Sequence, residues 1–331
     1  MKSFLNLKIS KLTILLISFA TIGFLQAFHG ENLYNTQLIQ GSYDVIDRTP
    51  AWRVNQSRLM GPAILKLMTL LSISKWWAMR IFATAFVIFN NFFLAKALSL
   101  KTDSKFQILN TVLVFNALFI VAQDTWVFVW DFIDIAFFIF YGLVLIKNEY
   151  LKYLLLVNFF HIFNRETSLI MAVFFMFVIY LEKNKNINEL FKNRLFYGLL
   201  FNLTFGLAYT YFSRKLLFIR QSDLTGGGQD LGNNFLGGNW VTPVLNFNTL
   251  FNGETVSNSL ILLAVISVLF LILKNYKSFT DIEKLLSIAV LINILPVFTF
   301  GVFIETRQYF PSIVMISYLI FSVSEKETKI I

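Results

Sequence analysis

The chain has 331 residues, of which 56% are hydrophobic and 14% charged, with a formal net charge of +9 and a mean hydropathy of +0.66. A soluble domain carries about 25% charged and roughly 45–50% apolar residues, so these values exclude a soluble enzyme and imply a polytopic membrane protein. With no cysteine there is neither a disulfide framework nor a thiolate metal site, and the positive balance reads as the Lys/Arg bias of cytoplasmic loops rather than as a nucleic-acid surface.

Lys2, Lys8 and Lys11 precede the apolar run from Leu12 to Phe28. That layout predicts an uncleaved signal anchor with its N-terminus in the cytoplasm, so residues 29–75 form a first extracytoplasmic loop. Within it, Ser42 to Pro62 gathers Asp44, Asp47, Arg48, Arg53 and Arg58. The run from Leu59 to Ser74 is short, carries Lys66 and has Gly61-Pro62 near its start, which fits an interfacial helix better than a crossing. Trp76 to Leu98 is then the second crossing and delivers Lys96, Lys101 and Lys105 to the cytoplasm, as the positive-inside rule requires.

Phe106 to Ala122 leads outward, and QDTWVFVWDFID is expected to turn at the outer surface with Asp124, Asp131 and Asp134 before Ile135 to Ile146 returns. Tyr153 to Leu181 is too long for one crossing and too short for two. A charge at the bilayer centre costs about 2.5–3.5 kcal/mol, so the segment is read as two short helices with Asn164-Arg165-Glu166 at an outer tip, in or close to water. Leu195 to Phe212 leads to the glycine-rich loop 213–255, and Ser257 to Leu273, Leu285 to Gly301 and Tyr309 to Val323 complete the chain. The expected architecture is all-α: one transmembrane helical bundle over 1–331, about ten spans, both termini cytoplasmic in the plasma membrane. Each crossing needs about 20 residues, which leaves no room for a separate soluble catalytic domain.

This topology collects Asp44, Asp47, Asp124, Asp131, Asp134, Glu166 and Glu305 on the outer side. Arg48, Arg53, Arg58, Arg165, Arg214, Arg220 and Arg307 join them, whereas the inner basic residues are lysines except for Arg194. Guanidinium matches phosphate bidentately, which lysine does not. Carboxylates beside arginines at a bilayer surface suit sugar transfer from a polyprenyl-phosphate donor. A carboxylate takes the acceptor's proton while cations stabilise the departing lipid phosphate. The candidate catalytic residues are Asp44, Asp47, Asp124 and Glu166; the candidate substrate-binding residues are Arg53, Arg58, Asp131, Arg165, Glu305 and Arg307. His161 and His29 read as packing residues, and the glycine-rich loop lacks the Lys-Ser/Thr of a phosphate-binding loop.

A signal anchor, an acidic first loop and the pattern Tyr43-Asp44, Arg53, Arg58 and Pro62 leading into an interfacial helix resemble the integral-membrane GT-C glycosyltransferases, including the GPI mannosyltransferase I branch. Asn164-Arg165-Glu166-Thr167 and Glu305-x-Arg307 are similar to charged motifs of small bacterial members. The resemblance implies a multi-helix fold, an active site at the outer membrane face, and a first-loop carboxylate, Asp44 or Asp47, as base. Asp44-x-x-Asp47 replaces the usual Asp-x-Asp or Asp-Glu, so use of a divalent cation is left open, with no organic cofactor expected. The expected partners are a polyprenyl-phosphate-linked sugar, the bilayer, and a glycan, lipid or protein acceptor. A lipid-linked polysaccharide polymerase or ligase is the nearest alternative, and a multi-pass transporter the more distant one.

Overall fold

A computed structural model describes residues 9–33, 36–47, 57–122, 128–182, 186–213, 256–300 and 306–330. The described residues contain no strand and form thirteen helices: α1 Lys11–Leu33, α2 Thr36–Asp47, α3 Met60–Leu70, α4 Lys75–Ser99, α5 Lys105–Val121, α6 Val129–Ile146, α7 Leu154–Ile162, α8 Thr167–Glu182, α9 Ile187–Leu190, α10 Arg194–Phe212, α11 Val256–Asn275, α12 Asp281–Phe300 and α13 Phe310–Ile330. The all-helical expectation holds. Ten crossings are not established: among the described residues α4, α6 and α10 are long and apolar enough to cross a membrane. Shorter apolar stretches of described residues lie in α1, α3, α5, α8 and α13.

Contacts divide the chain into two compact units. The first comprises Met1–Leu33, Val87–Val127 and Leu236–Ile331. In it α13 packs on α12 and α5, and α5 on α1. Phe119 meets Phe310 with ring centroids 4.9 Å apart. A buried polar set joins three helices here. Thr21 donates to Asn116 Oδ1 (2.7 Å), Asn91 donates to Ser18 (3.0 Å), and Asn116 Nδ2 donates to Asn91 Oδ1 (2.8 Å). Interhelical amide and hydroxyl bonds of this kind hold apolar helices together where hydrophobic burial supplies little contrast.

The second unit comprises Tyr34–Phe86 and Phe128–Phe235. Its central element is α6, in which 15 of 18 residues are buried; a helix apolar all round belongs inside. α7 and α8 form a hairpin packed against α10, and α3 packs on both α2 and α6. Gly206 lets α10 approach Leu169 of α8, and Gly61 brings the start of α3 against Val129 and the Trp130 backbone of α6.

Three local expectations change. Asp44 and Asp47 lie on the amphipathic helix α2 rather than in a loop. α6 begins at Val129, six residues before the expected Ile135, because the Asp131 carboxylate accepts from the Phe128 N–H (3.0 Å) and caps the first turn. Asp131 and Asp134 are thereby drawn out of a surface turn into a buried helix, each 0% exposed. The break between α7 and α8 falls at Asn164-Arg165-Glu166 as expected, but Arg165 is 8% exposed instead of lying in water. The run from Leu59 to Ser74 contains the 11-residue α3, which ends before Ser72 turns the chain at φ 66°.

Candidate active site

The first turn of α6, the α7–α8 turn and the residues leading into α3 bring charge together inside the second unit. Arg165 Nη1 donates to Asp131 Oδ1 (2.9 Å) and lies 3.4 Å from Asp134 Oδ2. Asp134 Oδ1 also faces His161 Nε2 (2.6 Å) and accepts from Thr167 Oγ1 (3.0 Å). Helical spacing explains the convergence. Asp131, Asp134 and Tyr141 recur at intervals of three and seven on one face of α6, and His161 and Arg165 lie four apart across the end of α7.

Hydrogen-bond bookkeeping assigns the histidine. The Tyr141 hydroxyl accepts from Asn158 Nδ2 (3.1 Å) and lies 2.9 Å from His161 Nδ1, so its own hydrogen goes to that nitrogen. In the tautomer that leaves Nδ1 as acceptor, Nε2 carries the hydrogen that points at Asp134. Asn158 is fixed in turn by the Ser168 carbonyl (2.9 Å) and by Asn202 Nδ2 of α10 (3.1 Å). The ring stacks on Phe137 at 4.4 Å. The expected packing role of His161 is met, and it is also joined to the charged cluster.

A second pair sits at the partly accessible side. Arg58 Nη2 donates to Glu166 Oε2 (3.2 Å), Ser57 Oγ donates to Glu166 Oε1 (2.9 Å), and the Arg58 guanidinium lies 5.3 Å above the Trp130 ring. The segment carrying Ser57 and Arg58 is pinned twice. The Tyr209 hydroxyl of α10 donates to the Ser57 carbonyl (2.9 Å), and the Met60 N–H donates to the Phe163 carbonyl (3.0 Å). Glu166 keeps 23% of its side chain exposed, against 9% for Arg58. Asn164 Nδ2 donates to the Trp130 carbonyl (3.0 Å), tying the α7–α8 turn to the first turn of α6.

Of the residues singled out from sequence, Arg58, Asp131, Arg165 and Glu166 come together. Asp44 and Asp47 bond elsewhere: Asp44 accepts from Gln40 (2.7 Å), Asp47 pairs with Lys66 (2.7 Å), and Lys75 donates to Gln40 (3.1 Å). Beside them Tyr43 is buried, its hydroxyl on the Leu65 carbonyl (3.2 Å), and burial pushes its phenol up to about 12. Arg53, Asp124 and Glu305 lie outside the described residues, as do Arg48, Arg214, Arg220 and positions 214–255 of the glycine-rich loop. Arg307 lies on the short 3-10 turn Thr306–Tyr309. Sequence reasoning gathered Asp134 with the outer-face carboxylates and placed Thr167 in the Asn164-Arg165-Glu166-Thr167 motif without selecting either as a site residue, and it missed Ser57, Tyr209 and Trp130; the three-residue spacing from Asp131 was the signal for Asp134. Among the described residues no group of three His, Cys, Asp or Glu side chains gathers to hold a metal ion.

No protein-family model matches this chain, and comparison with curated proteins and with solved structures returns no match.

Proposed function

We propose that the chain is a multi-pass membrane glycosyltransferase moving a sugar from a polyprenyl-phosphate donor to a cell-envelope acceptor, with its site at the extracytoplasmic face. One observation carries the reading. A partly accessible carboxylate, Glu166, is held by a guanidinium and a hydroxyl at the end of an apolar helix, beside the buried Asp131–Arg165–Asp134 cluster. In the proposed step Glu166 takes the proton of the acceptor hydroxyl while that oxygen attacks the anomeric carbon. The bond from that carbon to the phosphate oxygen breaks, and the phosphate leaves with the electron pair, stabilised by arginines. The Arg58 and Arg165 guanidiniums both donate to carboxylates and so orient them, and the lipid phosphate falls to Arg53, singled out from the sequence of the same first loop as Arg58. The first-loop candidates for the base are Asp44, which accepts from Gln40, and Asp47, which pairs with Lys66.

The test is sugar transfer in liposomes from a panel of polyprenyl-phosphate sugars to an envelope extract. Glu166→Gln is expected to lower the rate about 10²-fold or more, and Asp47→Asn to leave it within a few-fold. Loss on Asp44→Asn with Glu166→Gln active would move the base to α2. A second reading rests on the wholly buried Asp134–His161 pair, since ionisable groups inside an apolar helix are what a proton-coupled carrier uses. Proton uptake driven by solute, without sugar transfer, would select it.

A further inference from the structure

Two buried polar atoms on neighbouring residues of the cluster, the indole Nε1 of Trp130 and the amide Oδ1 of Asn164, lack a hydrogen-bond partner among the described residues, although both residues are 0% exposed. These are one donor and one acceptor, on residues bonded to each other through Asn164 Nδ2 and the Trp130 carbonyl (3.0 Å). That bond fixes the amide, since turning it over would set oxygen against oxygen. Phe128 stacks on the indole at 4.5 Å, and the Arg58 guanidinium that holds Glu166 lies over it at 5.3 Å. An unmatched buried donor and acceptor are disfavoured and call for an explanation. Hydroxyl groups answer both, because each can accept from an N–H and donate to a carbonyl oxygen.

We infer that Trp130 Nε1 and Asn164 Oδ1 form a hydroxyl-reading subsite for the sugar of the donor, behind Arg58 and Glu166. The inference rests on the sugar-transfer reading above. Its consequence is selectivity: a site that leaves polar atoms for a ligand hydroxyl rejects the analogue lacking that hydroxyl.

The experiment uses the full chain in nanodiscs with ¹⁵N-indole tryptophan, the Trp130 signal being assigned from Trp130→Phe. Farnesyl-phosphate-linked glucose, mannose, galactose and N-acetylglucosamine are titrated in, with farnesyl phosphate as the control. A sugar-bearing lipid is expected to shift the Trp130 signal and the control to leave it in place. One monodeoxy analogue of that lipid is expected to bind about tenfold more weakly, the worth of one neutral hydrogen bond, without the shift. Trp130→benzothienylalanine, which exchanges N–H for sulfur and keeps the ring, is expected to bind parent and analogue within twofold of each other. A glycosyl lipid that binds with the Trp130 signal unmoved overturns the subsite and leaves sugar transfer standing. So does an indole proton in contact with water both before and after binding. Failure of every glycosyl lipid to bind overturns both.

Discussion

Arg165 stabilises a site that would otherwise be two buried carboxylates side by side. Asp131 and Asp134 are both fully buried, and its guanidinium faces an oxygen of each. Removing one partner of a buried ion pair costs about 3–5 kcal/mol, because the remaining charge stays desolvated. Arg165→Met is therefore expected to destabilise the protein by about that amount in thermal unfolding in detergent. Adding Asp131→Asn and Asp134→Asn is expected to return at least half of it. Stability unchanged by Arg165→Met would mean that the carboxylates are neutralised some other way. The sequence marked Arg165 and Asp131 as site residues but pictured both in water, since a charge in an apolar run suggests a helix end. Its actual solution is mutual burial, which requires knowing which helices meet.

Gly61 controls how the start of α3 meets the start of α6. A Cβ there would lie 2.6 Å from Val129 Cγ2 and 3.2 Å from the Trp130 N. Neither yields easily, since a valine is stiff at χ1 and the other atom is backbone. Gly61→Ala is thus expected to cost about 1–3 kcal/mol through overpacking and to lower transfer further by shifting Arg58 away from Glu166. Gly41 is the control. The nearest atom to its added Cβ is Phe128 Cε1 at 3.9 Å, so Gly41→Ala is expected to be neutral or slightly stabilising, as alanine is the better helix former. Equal losses for both variants would show that the α3–α6 contact has no special role. Gly61-Pro62 was legible as the beginning of a short helix. That the glycine is needed for close approach to α6 was not, because its neighbour is Val129, 68 positions along the chain.

The absence of cysteine makes the proposed topology directly testable, since single cysteines can be introduced without background. With both termini cytoplasmic, Asp47→Cys is expected to react with a membrane-impermeant maleimide on intact cells. Lys101→Cys and Lys192→Cys are expected to react only after lysis. All three positions are exposed in the structure. Labelling of Lys101→Cys from outside would reverse the orientation and remove the basis for an extracytoplasmic site. Among the described residues three helices have the length and composition of a crossing, while α7, with nine residues, reaches only about 14 Å. Short helices that meet at a polar turn are tolerated inside a membrane protein when their backbone and charges are satisfied by protein, as at Asn164-Arg165-Glu166.

Composition and hydropathy by themselves determined that the chain is helical and apolar, where α4, α5, α10 and α11 lie to within a few residues, and that the segment around Arg165 breaks into two helices. These properties are local: they depend on the run of apolar residues and on the cost of charge within it. Tertiary structure decided which charges form the site. It drew Asp131 and Asp134 into α6, added His161 and Thr167 to them, joined Arg58 to Glu166 across 108 positions, and left Asp44 and Asp47 with Gln40 and Lys66. Hydrogen bonds and ion pairs act over about 3 Å, so their partners are set by helix packing and not by proximity in the chain.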